Sequence, residues 1–419
     1  MKPIFRAATL GWLLLCLPYG TSALANAEAT ISLQQALQQT LQYNPALQAY
    51  PYLIRGAEAE RLQASLRPTP TLSLEAENLA GSGDYSGSDE ASYTLSLSQV
   101  IELGQKRQKR VALASAKERQ LQNEYELTRL DTLAETSRRY YQVLRLQALQ
   151  TSLTERIERE KNALSVIEHR VKAGAVGKAD AAKMALRLAQ SQARQQQLQL
   201  QWQQAKSNLT AMWLAEADFA NATGNLLHAP NAPEQEHLLS ALQASPAYMQ
   251  QTALQRLADA RLQLAQANGK TDVSVGLGIR QLESSNDQAL VFSAAMPLAF
   301  SNPNRGRIAA AQAQRQWSQQ RSELLQRQLQ LSLNQIRQQL QSSLLQIDTL
   351  QSQLLPKAQQ LLSATQKGYQ QGRYSVLQWA DAQAELFALK RQNIELHTQA
   401  FLQLLELERL TGQALNTKA

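Results

Sequence analysis

The chain has a single cysteine in 419 residues, Cys16, and it lies in a segment that reads as removable. Lys2 and Arg6 precede an apolar run over residues 10–17, and small-residue sites follow at Ala23-Leu24-Ala25 and Ala25-Asn26-Ala27. That order is a cleavable secretory signal, expected over residues 1–27. Leu15 is bulkier than the small residue a lipid-attachment site wants before its cysteine, so plain cleavage is expected. Loss of Cys16 excludes disulfides, cysteine-bound zinc and a thiol nucleophile together. Aromatic residues are scarce, at 5%, and Gln, Leu and Ala crowd the body, which suits long helices better than a thick globular core. Past the signal no apolar run reaches the roughly 20 residues of a transmembrane helix, so any membrane crossing falls to strands. The net charge of +8, two units of it from Lys2 and Arg6, is mild for this length and calls for no nucleic acid. Catalytic groupings are missing as well: no Ser, His and Asp set in compatible elements, no phosphate loop, no dinucleotide fingerprint and no paired carboxylates. Neither an enzyme nor a cofactor is expected. The histidines, His169, His228, His237 and His397, are scattered. His228 and His237 share a Pro- and Asn-rich linker and read as surface residues, not metal ligands.

What the sequence does hold is a duplication, with a period of about 200 residues that is too long for a solenoid unit. Leu41-Gln42-Tyr43-Asn44-Pro45-Ala46-Leu47 answers Leu242-Gln243-Ala244-Ser245-Pro246-Ala247-Tyr248, and Thr71-Leu72-Ser73-Leu74 answers Asp272-Val273-Ser274-Val275. Residues 99–111 answer 296–308, and Gly174 answers Gly372. The expected organisation is a first repeat over 28–225, a linker over 226–236, a second repeat over 237–415 and a tail over 416–419. Each repeat reads helix, strand, loop, strand, long helix, turn, helix. Residues 105–173 contain neither Gly nor Pro and are filled with good helix formers, enough for a helix on the order of 100 Å long. Further arms are expected over about 178–223, 305–367 and 373–411. Gly174 and Gly177, and Gly368 and Gly372, mark the reversals, and Pro356 should kink or break the second descending arm. Leu121, Tyr125, Leu127, Leu130 and Leu133 show the amphipathic spacing. On the helices alone, a periplasmic coiled coil reads equally well.

Four segments of strict alternation break that tie. They are expected over about 70–79, 91–100, 272–281 and 289–297. Leu72, Leu74 and Ala76 share one face against Ser73, Glu75 and Glu77, and Tyr93, Leu95 and Leu97 oppose Ser92, Thr94, Ser96 and Ser98. Val273, Val275, Leu277 and Ile279 repeat the pattern, and Leu290, Phe292 and Ala294 repeat it more weakly. Each run has the length a tilted strand needs to cross a bilayer. The connecting loops, 78–90 and 282–287, are polar and read as hairpin tips in water. Open sheet edges cannot sit in lipid, so four strands require further copies to close a barrel; two, three or more satisfy that argument. The alternative is a four-stranded soluble sheet capped by helices, although the expected arms are too long to serve as caps.

Several motifs then carry a resemblance. Residues 31–37, Ile-Ser-Leu-Gln-Gln-Ala-Leu, followed by Asn44-Pro45, resemble the first-helix motif of the TolC-like outer-membrane efflux family. Residues 98–107, Ser-Gln-Val-Ile-Glu-Leu-Gly-Gln-Lys-Arg, resemble the end of the first hairpin in its heavy-metal, CzcC-like branch. Arg170-Val171-Lys172-Ala173-Gly174 with Asp180, and Tyr369-Gln370-Gln371-Gly372, are similar to the two helix-reversal motifs. The resemblance spans nearly the whole mature chain. It implies a mainly α fold with a small β part: a homotrimer whose twelve-stranded transmembrane β-barrel continues as a periplasmic α-helical barrel. It also implies an outer-membrane location and three kinds of partner: a periplasmic adaptor (membrane fusion protein), an inner-membrane resistance-nodulation-division transporter and outer-membrane lipid. The implied role is a passive exit duct for cations such as cobalt, zinc or cadmium. An exit duct for drugs or secreted proteins, and a scaffold with no pore, remain as alternatives.

The resemblance also suggests sites. Asp180 and Asp381 fall where the family narrows its periplasmic end and places an inward acid, with Tyr369 placed to donate its hydroxyl to an acid. Gln378 stands at a position that is often acidic in that gate, which implies a weaker ring. The reversals, with Gly174, Gly372, Arg170 and Ser375, are where an adaptor would dock. Trp379 and Tyr374 read as packing residues. Lys106, Arg107, Lys109 and Arg110 open a long helix, where the helix dipole disfavours positive charge. Anionic headgroups at the membrane boundary, or simple solvation, would account for them.

Overall fold

The computed structural model describes residues 30–298 and 301–414. The expected signal and tail, 1–27 and 416–419, lie outside the described residues. The first half runs β1 (Thr30–Ile31), α1 (Leu33–Tyr43), α2 (Pro45–Ser65), β2 (Thr71–Glu77), β3 (Ser92–Ile101), α3 (Lys106–Lys172), α4 (Lys178–Thr210) and β4 (Asn221–Ala222). The second half runs α5 (Gln235–Gln243), α6 (Pro246–Ala267), β5 (Val273–Leu282), β6 (Gln288–Ala295), α7 (Arg305–Thr349), α8 (Leu355–Gln370) and α9 (Val376–Thr411). The duplicated motifs turn out to be helix starts. Asn44 caps α2 by accepting from the Ala46 and Leu47 amides, and Ser245 caps α6 by accepting from the Tyr248 amide. Each is followed by a proline, whose missing N–H is harmless at the first helical position.

Two arms differ from expectation. The arm expected to reach residue 223 stops at Thr210, passes through a 3₁₀ turn (Ala211–Trp213) and leaves through Leu214 in the left-handed region, at φ 58°. No Gly or Pro marks that stop. It is set by distant partners: Thr223 N–H donates to the Ile31 carbonyl at 2.9 Å, the Tyr140 hydroxyl donates to the same carbonyl at 3.1 Å, and Lys206 Nζ donates to the Phe219 carbonyl at 2.7 Å. These bonds draw residues 215–234 out as a strap, and β4 pairs in parallel with β1. The second descending arm is not broken at Pro356. It widens into one π turn, Leu350–Leu354, and resumes as α8 with Pro356 in its first turn. Proline supplies no N–H and crowds the carbonyl four residues back; a wider turn relieves both problems while the helix continues.

At 1.5 Å per residue, the 67 residues of α3 extend about 100 Å. One end of α3 packs beside α2 and α6, and the other beside α4 and α9. Buried clusters run along the arms. Tyr140, Val143, Leu144 and Leu209 lie under the strap, Leu333, Leu340, Leu404 and Leu407 hold α7 to α9, and Ile167, Met184, Leu362 and Trp379 join the two reversals.

Candidate functional site

The strands form one antiparallel sheet in the order β2-β3-β5-β6, so the two halves meet at β3 and β5 and both outer edges stay unpaired. The register places Leu72 beside Leu97, Leu97 beside Leu277 and Leu277 beside Phe292. Leu74, Leu95, Ile279 and Leu290 make a second row. All eight side chains are more than half exposed, with Leu74 at 72% and Leu290 at 78%. The other face is polar and crowded. Ser92 and Thr94 are buried there, Ser73 and Ser96 share a hydrogen bond of 2.8 Å, and Arg280 bonds Thr94 and lies 3.2 Å from a Glu77 carboxylate oxygen. A Cβ at Gly278 would lie 2.8 Å from the Leu95 carbonyl oxygen. Crowding on one face and exposure on the other describe a sheet curved toward its polar side. Among the described residues no helix is long and apolar enough to cross a membrane.

At the far end of the arms the chain turns at Gly174 and Gly372, with φ of +74° and +76°. Both positions face open space, so glycine is there for its backbone conformation and not to avoid a clash. Arg170 ties the two turns together by donating to the Tyr369 and Gln370 carbonyls at 2.7 and 2.6 Å, and its guanidinium lies over the Tyr369 ring. Ser375 caps α9 in a reciprocal box with Gln378, so this side chain is engaged at the helix start. Asp381 does not stand alone: it accepts from Arg187 at 2.7 Å, and the same guanidinium donates to the Ala380 carbonyl. Asp180 lies in the first turn of α4, where the helix dipole favours its charge. Tyr369 is packed within its own chain. It is buried and stacked on Trp379, its hydroxyl has no partner, and Asp381 is held by Arg187 instead. In the single chain Tyr369 is a packing residue.

The basic cluster is largely partnered within the chain. Lys106 pairs with Asp272 at 2.7 Å, Lys109 donates to Gln263 at 3.0 Å, and Arg110 bonds Glu102 and the Leu66 carbonyl. Only Arg107 among the four is exposed without a side-chain partner among the described residues. The dipole penalty at this helix start is offset by Glu102 and Asp272, and the first two contacts bind α3 to the second half.

Sequence reasoning missed several other placements. Arg145 gives two bonds to Glu395, and Lys390 pairs with Glu155. His397 is fully buried, with Nδ1 donating to the Asn393 carbonyl at 2.8 Å and Nε2 facing the Gln351 amide of the π turn. Apart from Asn393, one turn before His397, these partners are far apart in sequence, so no local signal exists for them. Among the described residues no group of three or more His, Cys, Asp or Glu is placed to hold a metal ion.

Residues 36–213 match the outer membrane efflux protein family. The chain is 26% identical over 390 residues to the cobalt-zinc-cadmium resistance protein CzcC of Cupriavidus metallidurans, covering 92% of this chain and 91% of that one. It is 28% identical over 316 residues to the nickel and cobalt resistance protein CnrC of the same organism, covering 70% and 71%. Crystal structures of CusC, described in terms of folding and transmembrane channel formation, superpose with a TM-score of 0.76 over 91% of this chain and 92% of that chain, at 16% identity. The exposed apolar sheet, the long paired arms and these likenesses agree: residues 36–213 carry an outer membrane efflux protein domain, and most of the chain is similar to the CzcC-like members of the TolC-like efflux proteins.

Proposed function

We propose that this protein is one subunit of an outer-membrane exit duct that passes heavy-metal cations, with its arms extending into the periplasm. The observation that carries this reading is the sheet: one face apolar and exposed, one face polar and crowded, and both edges open. Such a sheet is incomplete in lipid until further copies pair with β2 and β6. Three copies supply twelve strands. A stripe on α7 supports lateral contact as well, since Trp317, Leu324, Leu331 and Leu345, spaced at multiples of seven, are all exposed. The cargo follows from the relatives CzcC and CnrC, whose names specify cobalt, zinc, cadmium and nickel resistance. A duct need not bind what it passes. The family is one of efflux proteins and not of enzymes, so the driving force has to come from an inner-membrane transporter, reached through a periplasmic adaptor seated on the reversals near Gly174, Gly372, Arg170 and Ser375. Asp381 and Asp180 would then face the narrow end.

Two measurements test this. The purified protein should conduct in a planar bilayer, and its loss should lower the concentration of cobalt, zinc or cadmium the cell tolerates. Conductance with unchanged metal tolerance would point to a different cargo. No conductance would remove the duct.

A further inference from the structure

The two faces of α3 are not equivalent. Leu144, Gln147 and Thr151 face the strap at Gly224 to Leu227, whereas Arg145, Leu149 and Arg156 lie well round the helix from them. A duct that conducts must carry the strap outside, so on the reading above the second face is the lumenal one. There a groove of about 430 Å³ runs along α3 between α4 and α9. Four arginines line it, Arg145, Arg156, Arg194 and Arg391, with Glu395 as the one carboxylate, over a floor that includes Leu149, Leu198 and Phe387. Two of the guanidiniums are neutralised: Arg145 by Glu395 at 2.6 and 2.7 Å, and Arg156 by Glu160 at 2.8 Å. The other two are not. Arg194 bonds only the neutral Gln197 amide, and Arg391 has no partner among the described residues. Arg194 also lies seven residues from Arg187, on the same stripe of α4 as the partner of Asp381.

We infer that this groove binds small organic anions, with a carboxylate or phosphate held between Arg194 and Arg391 and an apolar body on the leucine and phenylalanine floor. Guanidinium forks match such oxygens in planar geometry, and a narrow low-dielectric wall strengthens the attraction. Cation export is not opposed by such a site. An anion seated there cancels the unpaired charge, and a passing cation then meets a neutral wall.

The inference rests on the duct reading for its lumenal position, and the test separates the two. Phenyl phosphate and inorganic phosphate are added to full-length protein conducting in a planar bilayer. Phenyl phosphate should reduce the current at lower concentration than inorganic phosphate, because only it uses the floor. Replacing both guanidiniums (Arg194→Gln with Arg391→Gln) should raise the half-blocking concentration at least about tenfold, the loss expected for even one charged hydrogen bond. The paired Arg194→Lys and Arg391→Lys variant should retain most of the block. If the double variant does not assemble, Arg391→Gln alone carries the comparison, since that side chain holds nothing in place. Equal block of wild type and Gln variant, or equal block by the two phosphates, overturns the site. If wild type carries no current the duct reading fails, and calorimetric titration of detergent-solubilised protein with phenyl phosphate still decides the groove: binding lost in the Gln variant sustains it, and no binding to wild type overturns it.

Discussion

Leu74 and Ser73 are neighbours in one strand with opposite surroundings: Leu74 stands on the open apolar face, and Ser73 shares a hydrogen bond with Ser96 on the polar one. Placing an arginine in each tests which face meets lipid. Leu74→Arg should cost about 2 to 4 kcal/mol if the position lies near mid-bilayer, and Ser73→Arg should be tolerated, because a polar lumen solvates the guanidinium. The yield of heat-resistant oligomer and the denaturant midpoint report the difference; equal damage at both positions would reverse the assignment of faces. Asp381 is a different residue-scale case, because its charge is already offset by Arg187. Asp381→Ala should leave Arg187 unpaired, make the narrow end more positive, and weaken block of current by divalent cations by up to about fivefold, the range of an exposed ion pair. Block identical to wild type would place Asp381 away from the permeation path.

Among the elements, the π turn is where a buried ionisable side chain meets a helix irregularity. His397 on α9 accepts from Gln351 within that turn only while it is neutral. Burial pushes its pKa below the ordinary 6.5, and the charge of His228 acts in the same direction, against the raising effect of the Asn393 and Leu227 carbonyl bonds. The unfolded chain then binds a proton that the folded chain resists, so stability falls as pH drops below about 6.5 toward the lower folded value. The melting temperature should therefore fall more between pH 7.5 and pH 5.5 in wild type than in His397→Gln; identical falls would mean that His397 does not titrate differently in the two states. The reversals make a second element-scale prediction. A Cβ at Gly174 or Gly372 meets nothing within 4 Å, so a leucine there bears chiefly the cost of the left-handed backbone, about 1 to 2 kcal/mol. Cross-linking to the adaptor should drop while the barrel remains assembled. Wild-type cross-linking in both variants would move docking to another part of the arms.

For the whole molecule, the decisive quantity is copy number. One chain presents a four-stranded sheet with two open edges, and the apolar stripe on α7 is more than half exposed at each of its four positions. Mass measurement in detergent should give three chains per particle, and removing the apolar stripe, for example by Leu324→Gln with Leu331→Gln, should lower the fraction that remains trimeric. A stable monomer recovered from the periplasmic fraction would exclude both the barrel and the duct. The two halves are joined by the β3–β5 pairing and by the contacts Arg145 to Glu395 and Lys106 to Asp272, so the two repeats should unfold together and not in separate steps.

The sequence by itself determined what depends on near neighbours. Two-residue alternation set the faces of the sheet, long stretches free of Gly and Pro set the arms, and Asn44-Pro45, Ser245-Pro246 and the reversal glycines set where helices begin and turn, because each acts on backbone within a few residues. Only the tertiary structure decided what depends on distant partners. The end of α4 at Thr210 is imposed by Ile31 and Thr223, the charge of Asp381 is met by Arg187, and Pro356 is absorbed by a π turn facing His397. The unpaired charge of Arg194 and Arg391 becomes visible only once α3, α4 and α9 lie side by side. Such contacts join residues up to 278 positions apart, and no periodicity along the chain encodes which of many similar arginines and carboxylates will meet.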